Sequence, residues 1–266
     1  MKLIANKRLG QHFLHERSVI RRIVELFHPK VGEIIVEIGP GLGALTYELL
    51  DCDAELHVIE LDGRFACELQ RSAGNRGLVV HHADALRFDY CSLCCDAQKL
   101  RLIGNLPYNI STPLLFWLLD QSRCIADMFF MMQKEVAQRL TAQPGTKDYG
   151  RLSVMIQWRC QVESMFTVGP GVFSPAPKVD STVVRLVPYS TPPVEVQDPE
   201  YFATIVRQAF SQRRKTLRNS LGSMFDAADI EKAGIDPSVR AERVSVAQFA
   251  RLSAAKSERS SPSKSA

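Results

Sequence analysis

Within four residues, Asn105-Leu106-Pro107-Tyr108 combines two hydrogen-bond acceptors with an aromatic face. The asparagine amide oxygen and the leucine backbone carbonyl can both accept from one exocyclic amine, and the tyrosine ring offers a surface on which a base stacks. An aromatic amine is a poor nucleophile because its lone pair is delocalised into the ring. Two acceptors holding its hydrogens favour a pyramidal nitrogen whose lone pair points at an electrophilic carbon. That is orientational and electrostatic catalysis, which requires neither an acidic residue nor a metal. The competing reading is a strand-ending turn in which Asn caps and Pro stiffens.

A second set of residues suits a nucleoside. Gly39-Pro40-Gly41-Leu42-Gly43 lets the backbone approach a ligand closely, and Glu60, 21 residues beyond Gly39, stands where an acid accepts ribose hydroxyls. The GxGxG spacing, with Glu37 just before it, departs from the GxGxxG of dinucleotide sites and suits an adenosyl ligand without a pyrophosphate. Tight turns also use glycine, so the pattern alone does not decide. Asp84 can accept from an adenine amino group or cap a turn, and both readings stand.

These residues need elements that deliver them to one edge. Ile34, Ile35, Val36 and Ile38 form a near-continuous β-branched run, as in a parallel strand covered on both faces. Leu45, Leu49 and Leu50 mark a helical face after the glycine turn. Strands over Leu56–Ile59, Leu78–Val80 and Leu100–Ile103 lead into Glu60, Asp84 and Asn105, and a further strand covers Met128–Met132. Thr112 reads as an N-cap with Pro113 at the first helical position, ahead of Leu114, Leu115, Leu118 and Leu119. A helix over Val154–Trp158 and strands near Ser164–Val168 and Val183–Val187 complete a doubly wound α/β sheet. Asn105 then lies next to the topological switch point, where ligands of such sheets sit.

Pro188-Tyr189-Ser190-Thr191-Pro192-Pro193 breaks this rhythm and reads as a linker. Beyond it, Asp198 and Pro199 open a helix carrying Phe202, Ile205, Val206, Ala209 and Phe210, followed by a stripe through Leu217, Leu221, Met224 and Phe225. Ser245 and Gln248 match a capping box for a last helix with Phe249 and Leu252. The serine-rich stretch from Ser257 is expected to be disordered. The expected organisation is a catalytic domain over 1–188, a small all-α domain over 189–256 and a tail over 257–266.

A chain of 266 residues with 45% apolar and 23% charged residues is globular in composition, which excludes collagen-like and disordered classes. Its net charge of +4 is unevenly spread. Residues 1–30 carry seven Lys and Arg against two acids, 31–190 carry fourteen against eighteen, and 191–266 carry twelve against nine. Basic ends around an acidic middle suit an anionic partner, and a solvated surface explains them equally well. No apolar run reaches the roughly 18 residues of a membrane span, and no secretory signal is visible. Seven cysteines, an odd number, point to a reduced, cytoplasmic setting. Cys91, Cys94 and Cys95, near His81 and His82, lack the paired spacing of a zinc site and are read as free thiols, so no metal is expected. His57 and the run Met128–Met132 are read as packing.

In their order along the chain, Glu37-Ile38-Gly39-Pro40-Gly41-Leu42-Gly43, Val58-Ile59-Glu60-Leu61-Asp62, Ala83-Asp84-Ala85 and Asn105-Leu106-Pro107-Tyr108 resemble the motifs of S-adenosylmethionine-dependent rRNA adenine N6,N6-dimethyltransferases. Lys7-Arg8-Leu9-Gly10-Gln11-His12-Phe13-Leu14, Ile110-Ser111-Thr112-Pro113, Met132-Gln133-Lys134-Glu135-Val136 and the segment Phe173–Ser181 extend the likeness over roughly residues 5–225. The resemblance implies a Rossmann-like methyltransferase sheet of seven strands with a helical C-terminal domain. It implies that His12, Leu14 and Gly41 line the cofactor pocket, that Gly39 meets the methionine part, and that Glu60 meets the ribose, Asp84 the adenine and Asn105 the methyl-acceptor region. It further implies that Tyr108 and Phe173 sandwich the target adenine. The implied substrate is a pair of adjacent adenosines in the 3′-terminal hairpin loop of small-subunit rRNA, free or in an immature subunit, met by a monomer.

Arg207, Arg213, Arg214, Lys215 and Arg218 have no acid between them and read as one basic helical stretch opposite the Phe202–Phe210 stripe. Beside an RNA-modifying site, phosphate contact is favoured over a merely solvated face. Three rivals remain. A macrolide-resistance methyltransferase of large-subunit rRNA shares the chemistry, but Leu106, Ser111-Thr112-Pro113 and Phe173–Ser181 favour the small-subunit type. A DNA adenine methyltransferase more commonly carries Asp-Pro-Pro-Tyr. A non-catalytic assembly factor would not need the intact glycine turn, Glu60, Asp84 and Asn105.

Overall fold

The β-branched run before the glycine turn forms β2 (Ile34–Ile38), all five of whose residues are buried. The structure, a computed structural model, describes residues 10–74, 76–94 and 98–257. β3 (Glu55–Glu60) and β5 (Leu100–Asn105) flank β2 in parallel, with Val36 opposite His57 on one side and Leu102 on the other. β4 (Leu78–His82) adds in parallel beyond β3, and β6 (Ile125–Gln133) beyond β5. β9 (Ser181–Pro188) runs antiparallel to β6, with β7 (Cys160–Val168) at the edge beside it. The result is a mixed seven-stranded sheet of order β4-β3-β2-β5-β6-β9-β7.

The winding reverses between β2 and β5, and a crevice opens at the carboxyl ends of strands at such a point. The close approach there depends on Gly104, because a Cβ on it would stand 2.5 Å from the Ile38 carbonyl oxygen. At the opposite ends of the strands, Arg101 directs five hydrogen bonds of 2.7–3.1 Å to Asp127, Glu33 and the carbonyls of Phe27 and His28. That clamp joins the starts of β2, β5 and β6 to the end of α1 (Arg17–Phe27).

Some local expectations shift. The glycine turn opens only a short α2 (Thr46–Leu49) and a 3-10 turn over Leu50–Cys52, although Leu45 and Leu49 are buried as the pattern requires. α3 (Gly63–Ala73) follows β3, capped by the Asp62 carboxylate. α4 (Ser111–Asp120) begins before Thr112, with Ile110 at the cap position and no side-chain cap. Pro113 still fits, since first-turn amides have no acceptor within the helix. Outside the sheet, β1 (Phe13–Leu14) pairs antiparallel with β8 (Phe173–Ser174), Leu14 opposite Phe173.

Cys91 is not a free thiol: it forms a disulfide with Cys124, 33 residues away, joining two 3-10 turns. Spacing within the Cys91–Cys95 cluster could not reveal a partner beyond α4. Cys94 is outside any disulfide, and Cys95 lies outside the described residues. Among the described residues, no three metal-ligating side chains come together, and no helix is long and apolar enough to cross a membrane.

The chain divides into two units, one of residues up to Ala137 with Val162–Pro188, the other of Gln138–Gln161 with Tyr189 onward. The third cut falls in the Pro-rich segment, at the end of the expected 1–188 span, while Gln138–Gln161 groups with the later residues. Within the helical unit, α6 (Arg151–Arg159) sets Trp158 against Phe202 of α7 (Pro199–Ala209), ring centroids 4.8 Å apart. That packing explains why α6 sorts with the later helices. Asp198 caps α7 by accepting from the Tyr201 amide, and Ser245 and Gln248 cap α10 (Val246–Ser257) reciprocally. The five clustered cations are all exposed but do not share one helix. α7 ends at Ala209, so Arg207 is in its last turn, Arg213, Arg214 and Lys215 are in the following turns, and Arg218 is on α8 (Leu217–Leu221). The tail expected to be disordered lies outside the described residues from 258 on, as do Lys7, Arg8 and Leu9.

Candidate active site

The carboxyl ends of β2 to β5 and the segment around β1 enclose a cavity of about 200 Å³, lined among others by His12, Leu14, Gly39, Gly41, Glu60, Asp84 and Asn105. The glycine turn forms its floor. Gly41 has a φ of +54°, and a Cβ there would stand 2.9 Å from the Phe13 ring, so any side chain would be strained and would push into the cavity wall. The Gly41 amide donates to Glu60 Oε2 at 3.0 Å, and the Asp62 amide to Glu60 Oε1 at 2.8 Å. Both carboxylate oxygens are thereby aimed, and each retains a lone pair for a ligand hydroxyl. Burial raises the Glu60 pKa against those two amides, which lower it.

Glu37, the residue before Ile38 at the end of β2, is a second buried carboxyl in the wall, only 2% exposed. It accepts from Thr46 Oγ1 at 2.5 Å, and burial pushes its pKa from 4.5 up to about 8. Desolvation favours the neutral form of both carboxyls, and a cationic ligand beside them would offset the cost of ionising them. Asp84 caps a turn and also faces the cavity. Its Oδ1 accepts from the Leu86 amide at 2.9 Å as a turn cap, and the residue lines the cavity.

On the other wall, Asn105 ends β5. Its Nδ2 donates to the backbone carbonyl of His12 at 2.8 Å. A carbonyl can only accept, so the amide nitrogen must face His12 and the amide oxygen is left to accept from elsewhere. Leu106 donates its own amide to the Met131 carbonyl, and no turn or loop amide among the described residues donates to the Leu106 carbonyl. Two acceptors on adjacent residues therefore remain available. Pro107 packs near Gly39, and Tyr108 is partly buried with its hydroxyl 2.7 Å from Ser181 Oγ.

Phe173 departs from its expected place. It is 3% exposed, paired with Leu14, and packed in the core with Leu14, Val168 and Val183, and it does not line the cavity. Its strand pairing turns the ring inward, so here it forms no sandwich with Tyr108. The ring against Tyr108 is that of His12. Arg207, Arg213, Arg214, Lys215 and Arg218 belong to the helical unit and line no part of the cavity. Sequence reasoning gives Ser181, Thr46 and Gly104 no role. Only Gly104 carries a local signal, a glycine inside an apolar strand run.

The sequence matches the profile of the family described as ribosomal RNA adenine dimethylase over residues 3–258. It is 51% identical over 249 residues to the ribosomal RNA small subunit methyltransferase A of Pseudomonas aeruginosa, covering 93% of both chains. The fold is similar to that of a dimethyladenosine transferase from Plasmodium falciparum, with a TM-score of 0.78 at 24% identity over 93% of this chain and 98% of the other. It is also similar to the 23S rRNA methyltransferase ErmE, with a TM-score of 0.69 at 28% identity over 91% and 98%. With the profile matching nearly the whole chain and a relative about half identical over 93% of it, the chain belongs to the ribosomal RNA adenine dimethylase family.

Proposed function

We propose that the chain dimethylates the N6 amines of two adjacent adenosines in the 3′-terminal hairpin loop of small-subunit rRNA, using S-adenosylmethionine. The observation that carries this reading is the Asn105 amide, oriented by the His12 carbonyl so that its oxygen stands free beside the Leu106 carbonyl. The 51% identity to a small-subunit enzyme, against 28% to a large-subunit one, supports the small-subunit target.

The residues present fit the cofactor. Ribose hydroxyls and an adenine amine are donors that would meet the acceptors Glu60 and Asp84, and a cationic ligand would favour ionisation of the buried Glu37 carboxyl. Gly39 and Gly41 would face its methionine part, with Leu14 in the apolar wall. When bound, S-adenosylmethionine supplies a methyl carbon made electrophilic by a sulfonium.

Asn105 Oδ1 and the Leu106 carbonyl accept the two N6 hydrogens and turn the nitrogen lone pair out of conjugation. Tyr108 stacks the base, and its Ser181 bond fixes the ring plane. Transfer breaks the methyl carbon–sulfur bond and releases S-adenosylhomocysteine, and the methylated nitrogen gives one proton to solvent, so the amine keeps a single hydrogen and both acceptors cannot be used again. The second transfer therefore needs room for the N-methyl group to rotate. Arg207, Arg213, Arg214, Lys215 and Arg218 contact rRNA phosphates. Small subunits lacking the modification, incubated with the protein and methyl-labelled S-adenosylmethionine, should carry label on two adjacent adenosines near the 3′ end. Label on large-subunit RNA would replace this reading with the rival one.

A further inference from the structure

The His12 imidazole lies against the Tyr108 ring, with centroids 5.3 Å apart and planes 30° from parallel. Its Nδ1 is 2.7 Å from the Pro175 carbonyl, which can only accept, so Nδ1 carries the proton and the ring is held in place. Tyr108 is held at its other end by Ser181, itself fully buried. The phenol is thus fixed at its tip by a hydrogen bond and covered on one face by a ring. A tyrosine backed in this way has a single face left for a base.

We propose that His12 is a positioning residue for the acceptor adenine, backing one face of Tyr108 with its imidazole and committing the opposite face to the base. The proposal rests on the reading of Tyr108 as the platform for the target. Two features separate this side-chain role from cofactor binding. The contact to Asn105 uses the His12 backbone carbonyl, which any residue at position 12 supplies. The imidazole instead meets Tyr108 and Pro175, from the two segments on the acceptor side. With Phe173 in the core, His12 is the ring that packs on Tyr108 among the described residues.

The test compares His12→Leu, which fills space without a ring, and His12→Phe, which keeps the ring but not the Pro175 bond. The readouts are steady-state methylation of unmodified small subunits, calorimetric titration of S-adenosylmethionine, and thermal melting. His12→Leu should raise KM for the subunit and lower kcat, together about tenfold or more in kcat/KM, with cofactor affinity within about twofold of the parent. His12→Phe should recover most of that loss. Unchanged kinetics in His12→Leu overturn the proposal, as does a His12→Phe variant no better than His12→Leu. Loss of cofactor affinity in both variants, with melting unchanged, assigns the side chain to the cofactor and also overturns it. A parent protein that transfers no methyl at all overturns the functional reading itself, and this proposal with it.

Discussion

The Asn105 side chain and the His12 backbone carbonyl, 93 residues apart in the chain, meet at 2.8 Å. The bond uses the donor end of the amide and leaves the acceptor end for the substrate. Replacing Asn105 with Ala removes that acceptor while sparing the Glu60 and Asp84 contacts. Asn105→Ala should bind S-adenosylmethionine nearly as the parent does and lose about 3 kcal/mol of barrier lowering, roughly two decades in rate. Single-turnover methylation and calorimetry read the two effects separately, and a near-normal single-turnover rate would remove Asn105 from the mechanism.

Glu37 should make the protein less stable as pH rises. Its carboxyl titrates near 8 in the folded chain and at 4.5 as an ordinary glutamate. Below the lower value both states are protonated. Between the two the unfolded chain gives up a proton that the fold retains, so stability falls with a slope of up to about 1.4 kcal/mol per pH unit from this group. Glu37→Gln has no charge to bury and should flatten that window, with the largest gain near pH 8 and weaker cofactor binding. Urea unfolding at pH 5.5 and 7.5 shows whether the slope depends on Glu37.

The strand ends are legible in the sequence because buried parallel strands are written as apolar runs, against which Glu60, Asp84 and Asn105 stand out. Partners supplied from far along the chain leave no such trace. Ser181 reaches Tyr108 from 73 residues away and Cys124 reaches Cys91 from 33, and neither has a periodic signature. The inward turn of Phe173 rests on a two-residue pairing, too short for a period of two to register. The helical unit is recognisable from its stripes, but α6 reads as part of the sheet domain because its partner Phe202 comes after the linker.

Charge reversal at Arg213 and Arg214 should weaken RNA binding and flatten its salt dependence. For each phosphate no longer neutralised, the slope of log affinity against log salt should fall by about 0.7–0.9. Arg213 donates to the Lys147 carbonyl, so Arg214→Glu alone separates the electrostatic effect from any loop disturbance. Filter binding at several salt concentrations gives the slope, and an unchanged one would show that these residues face solvent.

Gly104→Ala should destabilise the sheet at its switch point. A methyl 2.5 Å from the Ile38 carbonyl oxygen must push β5 away from β2, an overpacking cost of about 1–3 kcal/mol. Because Asn105 follows directly, activity should fall further than stability alone explains. Denaturant unfolding paired with methylation rate separates the two, and a variant as stable as the parent would contradict the close approach.

The pairing of β1 with β8 ties the beginning of the catalytic unit to its end. Phe13 meets Ser174, His12 meets Pro175 across 163 residues, and Tyr108 meets Ser181. Synthesis runs from the N-terminus, so one wall of the cavity is made first and waits until residue 181 has emerged before it has anything to close against. A nascent or truncated chain ending before that point has the glycine turn and every acid of the cofactor wall, yet lacks the Ser181 bond to the Tyr108 hydroxyl. Closure of this wall is thus deferred to β9, the last strand of the sheet.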